Sequence, residues 1–291
     1  MKKITSLAII LVLILAFFSC NAEETEEERM ERENFPVELE GGYTLYEAPQ
    51  RVISLSPSVT EIIFALGSYS QLIAVSDNCN HPAQVLDLPK MGTALSPNVD
   101  EIVALNPDLI LTSTPVFGIT RDRLALRNIP VVVLPAAASS AELQEIYEQI
   151  AAMLSGNYTG PLNAENVLTN MFLEMERLTE PVDFTAIILP NLHFAPDSSY
   201  LLNSLVESAG FNLPEIVESE DDERHILQSV NSDFIFTTPI IAAQIMNDER
   251  FRELTAVTNE RVVGLDPELF ERQGARLIEL VETMSNVAAR E

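Results

Sequence analysis

Small polar residues in this chain gather at a few turns, each following a short apolar run: Ser56 and Ser58 in "SPS", Asp77 and Asn78 in "SDNCNHP", Thr114 in "TSTP", His193 and Phe194 in "PNLHFAPDSS", and Thr238 in "TTP". Hydroxyl, amide and carboxylate groups of this kind hydrogen-bond a small molecule. They also start helices, since Ser, Thr, Asp and Pro satisfy or tolerate the free N–H groups of a first turn. The nucleophile elbow, the phosphate-cradling loop and the dinucleotide fingerprint are all missing. The histidines His81, His193 and His225 lie far apart, without the spacing that places two metal ligands on one helix face. A Ser/His/Asp triad can assemble from distant segments, but no local pattern points to one. The chemistry on offer is binding, with no resident cofactor or metal expected.

The elements that must position these groups can be read from the apolar periodicity. In "RVISLSPSVTEIIFALG", Arg51–Leu55 is a β-prone run, and Val59, Ile62, Ile63 and Leu66 then recur at helical spacing. Ser58 with Glu61 has the form of a capping box, and Gly67 suits a helix end. The pattern repeats: strands at 72–75, 109–111 and in "IPVVVLP" alternate with helices at 98–106, 120–127 and 140–154. A longer helix is expected from Asn163 to Thr179. Strands in "DFTAIILP", "DFIFTTP" and "ERVVGLD" then alternate with helices at 199–209 and 276–288. Strands alternating with helices predict parallel sheets covered on both faces. The fold class is therefore α/β, and the echo of the first half in the second supports two related lobes; the long helix is either an ordinary packing helix or a strut between them. The expected boundaries are 43–160, 161–180 and 181–291. Open parallel sheets bind ligands beyond the carboxyl ends of their strands, which is where the polar turns fall.

Charge and the N-terminus narrow the setting. Lys and Arg total 17 against 44 Asp and Glu, a net charge of -27. A field of that sign repels nucleic acid and anionic lipid surfaces. Lys2 and Lys3 precede an apolar run from Leu7 to Phe18, too short to span a bilayer comfortably and suited to an export signal. Cys20 ends "AFFSC" and is followed by the acidic "NAEETEEERMERE". A disulfide to Cys79 would tie the fold to a charged, extended tail. "AFFSC" instead resembles a bacterial lipobox, with Phe17 where Leu is commonest. This makes 1–19 the signal peptide, Cys20 the lipidated first residue, and 20–42 an acidic tether whose like charges extend it.

"RVISLSPSVTEIIFALGSYSQLIAVSDNCNHP", "LPKMGTALSPNVDEIVALNPDLILTST" and "RFRELTAVTNERVVGLDPELFERQGARLIELVETM" together resemble the substrate-binding proteins of ABC importers for vitamin B12 and ferric siderophores. The resemblance covers most of Arg51–Met284. It implies a class III binding protein: two α/β lobes, a rigid connecting helix, and a ligand held between the lobes without covalent chemistry. It also implies an acidic residue on each lobe that docks to arginines of the permease, here Asp100 with Glu101 beside it, and Glu223. The implied partners are an ABC permease with its ATPase, and a membrane reached through the lipid anchor; the protein itself is expected to be monomeric.

The implied cargo is cobalamin, heme or a ferric chelate. "SDNCNHP" and "LFERQGAR" lean toward the corrinoid branch, with Arg272 placed to contact a propionamide or phosphate edge. The chain has no Trp, so Phe117, Phe194 and Phe270 would have to cover a flat ligand. An anionic siderophore calls for cleft cations, and beyond residue 3 the only lysine is Lys90. Two other classes stay open at this point: an exported α/β hydrolase, and a surface sensor or scaffold that kept the binding-protein fold.

Overall fold

The computed structural model describes residues 34–190, 201–214 and 231–290. A small antiparallel hairpin, β1 (Val37–Glu38) with β2 (Thr44–Leu45), leads into the first lobe. Four parallel strands follow: β3 (Val52–Ser54), β4 (Leu72–Val75), β7 (Leu109–Thr112) and β8 (Val131–Val133), in the order β4-β3-β7-β8. A second hairpin, β5 (Gly92–Thr93) with β6 (Ser96–Pro97), sits between β4 and β7 in sequence. The helices of this lobe are α1 (Pro57–Ala65), α2 (Val99–Ala104), α3 (Gly118–Ala125) and α4 (Ser140–Ser155).

Both faces of this sheet are covered, which is why its strands read as unbroken apolar runs. Side chains alternate across the pleat. Val52, Leu109 and Leu111 point into one core with Ile62 and Ile63 of α1 and Leu143 and Ile150 of α4. Ile53 and Ile110 point into the other, with Ile102 of α2 and Leu124 of α3.

The helix α5 (Thr159–Leu178) connects the two sheets, and its 20 residues span about 30 Å. Gly160, Ala164, Leu168, Met171 and Met175 form its buried stripe. Gly160 is required there: a Cβ would stand 2.4 Å from the backbone of Ala151, so only glycine lets α4 and α5 close at this point. This helix starts four residues earlier than the periodicity of 163–179 predicts. Its first turn is capped from outside the helix. Asn34 Oδ1 accepts the N–H groups of Thr159 (2.8 Å) and Tyr158 (3.1 Å). The described chain thus packs against the fold from Asn34 onward, before the Tyr43 start read from the sequence.

In the second lobe, β9 (Ala186–Leu189), β10 (Phe234–Thr237) and β11 (Val262–Gly264) form a parallel sheet in the order β11-β10-β9. The described helices are α6 (Leu201–Ser208), α7 (Pro239–Asn247), α8 (Thr255–Thr258), α9 (Pro267–Glu271) and α10 (Arg276–Ala288). The main hydrophobic core runs through both lobes: Ala186, Ile188, Phe234 and Phe236 belong to the same cluster as α1, α4, α5 and α10. Lobes fused by one close-packed core resist large hinge motion, since separating them would expose apolar surface.

Candidate functional site

The carboxyl ends of three strands open into one cavity of about 700 Å³. After β3 come Leu55, Ser56, Pro57 and Ser58. After β4 come Asp77, Asn78 and Asn80, and after β7 come Ser113 and Thr114. The β5–β6 hairpin supplies Thr93, Ala94 and Leu95, and the second lobe closes the space with Glu268, Glu271 and Arg272 from α9 and its end. The cavity is therefore an inter-lobe cleft with polar groups on both sides.

Local sequence explains the polar turns. Pro57 at the first helical position begins α1 after extended Ser56. The Ser56 side chain makes no cap bond; its hydroxyl meets the Ser113 hydroxyl at 2.7 Å and joins the ends of β3 and β7. The Asp77 carboxylate accepts the Gly92 N–H at 3.0 Å, fixing the β5–β6 hairpin beside the cleft. Thr112 Oγ1 accepts the Thr114 N–H at 3.2 Å and holds that turn.

The expected capping box of Ser58 and Glu61 does not form. Ser58 Oγ accepts the Gln273 N–H at 3.2 Å from the second lobe, and Glu61 is 2% exposed, turned toward the same segment. Docking of the second lobe on α1 captures both side chains.

Ser56, Ser58, Asp77, Asn78, Thr114 and Arg272 all line the cavity. Three other candidates lie elsewhere. Thr238 Oγ1 accepts the Ile241 N–H at 3.4 Å and caps α7. Phe270 is half-buried against the main core. Phe117 precedes α3 and is 72% exposed, outside the cavity lining. His193, Phe194, Glu223 and Cys20 lie outside the described residues. Cys79 is a buried, free thiol 3.2 Å from the hydroxyls of Thr60 and Ser76. Asp100 and Glu101 stand in the first turn of α2, where Asp100 pairs with Arg123. Among the described residues no group of His, Cys, Asp and Glu is placed to hold a metal ion.

Glu268, Asn80, Gln273 and Tyr147, which help join the lobes, carry no motif in the sequence. Glu268 accepts both contacts of the Asn80 amide at 3.1 Å, pairs with Arg272 at 3.2 Å and with Arg276 at 3.1 Å. The Asn80 hydrogen bond and the two arginines hold its carboxyl below the usual range. Gln273 bonds Ala137 twice through its side chain. Tyr147 Oη donates to Gln273 O at 3.1 Å. Arg272 is 4% exposed, with Nη1 3.6 Å from Glu61 Oε1. The burial of Glu61 outweighs the attraction of Arg272 and Arg276, and its carboxyl is pushed up to about 7. Its charge also adds to the burial that raises the Tyr147 hydroxyl.

Comparisons with known proteins agree with this two-lobed α/β fold. The family model described as "Periplasmic binding protein" matches residues 52–168. The chain is 24% identical to the uncharacterized ABC transporter substrate-binding lipoprotein YvrC of Bacillus subtilis, over 90% of this chain and 88% of that one. It is 33% identical to the vitamin B12-binding protein of Vibrio cholerae over 104 residues, 36% of this chain and 37% of that relative. The solved periplasmic heme-binding protein HutB of Vibrio cholerae superimposes with a TM-score of 0.62 at 18% identity, over 82% of this chain and 98% of that one. The matched residues supply the first lobe and most of the cleft, and the described residues share the two-lobed α/β fold of that solved protein.

Proposed function

We propose that this chain is the extracytoplasmic substrate-binding component of an ABC importer, capturing a corrinoid or an iron complex in the inter-lobe cleft and delivering it to a permease. One observation carries the reading: a cavity of about 700 Å³ lies where the strand ends of the first lobe face α9, with hydrogen-bonding groups on both walls. That volume is within the range of small-molecule sites, and the mix of apolar walls with a few directed polar groups is what such sites share. Relatives named for vitamin B12 and for heme bracket the ligand class.

The reading assigns no covalent step and no resident cofactor. Binding energy goes into desolvating the cleft and fixing the lobes about the ligand. Export and lipidation at Cys20, a monomeric state and docking through Asp100, Glu101 and Glu223 belong to the same proposal. The relative named a lipoprotein supports the anchor. No described helix is long and apolar enough to cross a membrane.

The test is ligand binding by the purified protein, followed by thermal shift and by absorbance of cyanocobalamin, hemin and ferric chelates. A ligand at about 100 times its Kd should stabilise the fold by about 2.7 kcal/mol. No stabilisation or spectral change with any of the three classes would overturn the ligand assignment.

A further inference from the structure

Arg272 lines the cleft and is the one cation among the described residues that do so. Its guanidinium is held from behind. Nη2 meets Glu268 at 3.2 Å, and Nη1 stands 3.6 Å from Glu61 Oε1, too far for a hydrogen bond. Nη1 and both carboxylate oxygens of Glu61 are buried without a hydrogen-bond partner. A buried carboxylate in that state is costly unless it takes a proton. The close approach is enforced by the backbone: a Cβ at Gly274 would stand 2.3 Å from the Cβ of Glu61.

We infer that Glu61 is a specificity-determining positioning residue: its ionisation state sets the charge that Arg272 presents to the cleft, so that capture of an anionic ligand group is coupled to uptake of one proton by Glu61. This rests on the cleft being the ligand site. The other charged and titratable groups facing Glu61 are Arg276 and Glu279 of α10, Glu268 of α9 and Tyr147 of α4; His81 feels the same arginines and Glu279. With Glu61 ionised, Glu61, Glu268 and Glu279 exceed Arg272 and Arg276 by one charge. Asp77 and Glu271 add negative charge to the cavity wall. The cleft then favours a neutral or cationic ligand. With Glu61 protonated the five-residue cluster is neutral, and Arg272 loses one of its two carboxylate partners. Nη1 stays buried against Glu61, and an anionic group of the ligand meets Arg272 from the cleft, where its charge is now less neutralised. No covalent bond changes; the proton comes from solvent.

The experiment uses the full-length protein in mild detergent, wild type and Glu61→Gln, with hemin and a ferric tricatecholate as probes of net negative charge and cyanocobalamin, whose phosphodiester is balanced by its cobalt centre, as the probe of no net charge. Titration calorimetry in buffers of different ionisation enthalpy counts the protons taken up. Wild type should take up nearly one proton with an anionic probe at pH 8. Its affinity for that probe should rise about tenfold per unit fall in pH above the Glu61 midpoint. Glu61→Gln should abolish both effects, and cyanocobalamin should show neither. Anionic binding without proton uptake, or an unchanged pH slope in Glu61→Gln, would overturn the inference. So would failure of every anionic probe between pH 5 and 8 while cyanocobalamin binds, which leaves the proposed function standing. Failure of all three probes would instead sink the function. The ion pairing is tested without ligand by carbon-13 titration of the Glu61 carboxyl in wild type and Arg272→Gln. An upward shift in the variant supports the pairing, and no shift refutes it.

Discussion

The side chain of Gln273 bonds the backbone of Ala137 twice: Oε1 accepts the Ala137 N–H at 2.7 Å, and Nε2 donates to the Ala137 carbonyl at 2.8 Å. An amide side chain thus completes a peptide-like pair between the lobes, with both residues buried. Together with Ser58 on the Gln273 N–H and Tyr147 on its carbonyl, it fixes the segment that carries Arg272 into the cleft.

Gln273→Ala should therefore destabilise the protein by about 2–3 kcal/mol, because a buried N–H and carbonyl are left without partners. Urea unfolding measures this, and hydrogen exchange at Ala137 should accelerate in step. A loss below about 0.5 kcal/mol would mean that water satisfies the Ala137 groups and that the bond does not hold the lobes.

Glu61 makes folding stability depend on pH with a defined sign. Its folded carboxyl is pushed up to about 7, against the ordinary value of 4.5. Between those values the folded protein holds a proton that the unfolded chain has lost. The stability is full below about pH 4.5, falls as pH rises, and levels off above about 7, a span of about 3 kcal/mol. Other groups titrate in the same window, and Glu268 works in the opposite sense. The difference between wild type and Glu61→Gln isolates the effect. That difference should be near its acid value at pH 4.5 and move in favour of Glu61→Gln by about 3 kcal/mol at pH 8. A difference constant across this range would show that Glu61 ionises normally.

Much of this fold was legible because its strands are buried on both faces and its helices carry single apolar stripes, as with Val59, Ile62 and Ile63 in α1 and Leu66 at its C-cap. Glu61 was not legible for the same reason. It lies on the side of α1 away from that stripe, where an amphipathic helix meets water, and only the docking of the second lobe buries it. Gln273 and Asn80 carry no local pattern, because their partners lie 136 and 188 residues away in sequence. Thr238 and Phe270 were chosen from turn position and aromatic character. Neither property separates a cleft residue from a helix cap or a core contact. The α7 helix follows "TTP", whose Thr and Pro suit a turn as well as the helix start they form here.

Asn34 caps a helix that begins 125 residues later, through Thr159, and Asn157 Nδ2 donates to Pro36 O at 2.8 Å across the same junction. Asn34→Ala should cost about 1 kcal/mol, as for other lost N-caps, and fray the first turn of α5. Thermal unfolding and exchange at Tyr158 and Thr159 check it. Unchanged protection of those two amides would show that the segment merely rests against α5.

If Asp100 and Glu101 dock the permease as proposed, their reversal should separate docking from capture. Both are exposed in the first turn of α2, away from the cavity lining, and among the described residues Asp100 has only the surface partner Arg123. Exposed pairs contribute about 0–1 kcal/mol, so Asp100→Lys with Glu101→Lys should leave folding nearly unchanged. Arginines on a permease would compete readily for Asp100, since the pair with Arg123 is weak and screened. The double reversal should reduce ligand uptake by cells at least tenfold while ligand affinity in solution stays within twofold, and raised ionic strength should weaken the wild-type complex with permease in the same direction. Loss of ligand affinity would place these acids in the cleft instead, and full uptake would remove them from the docking surface.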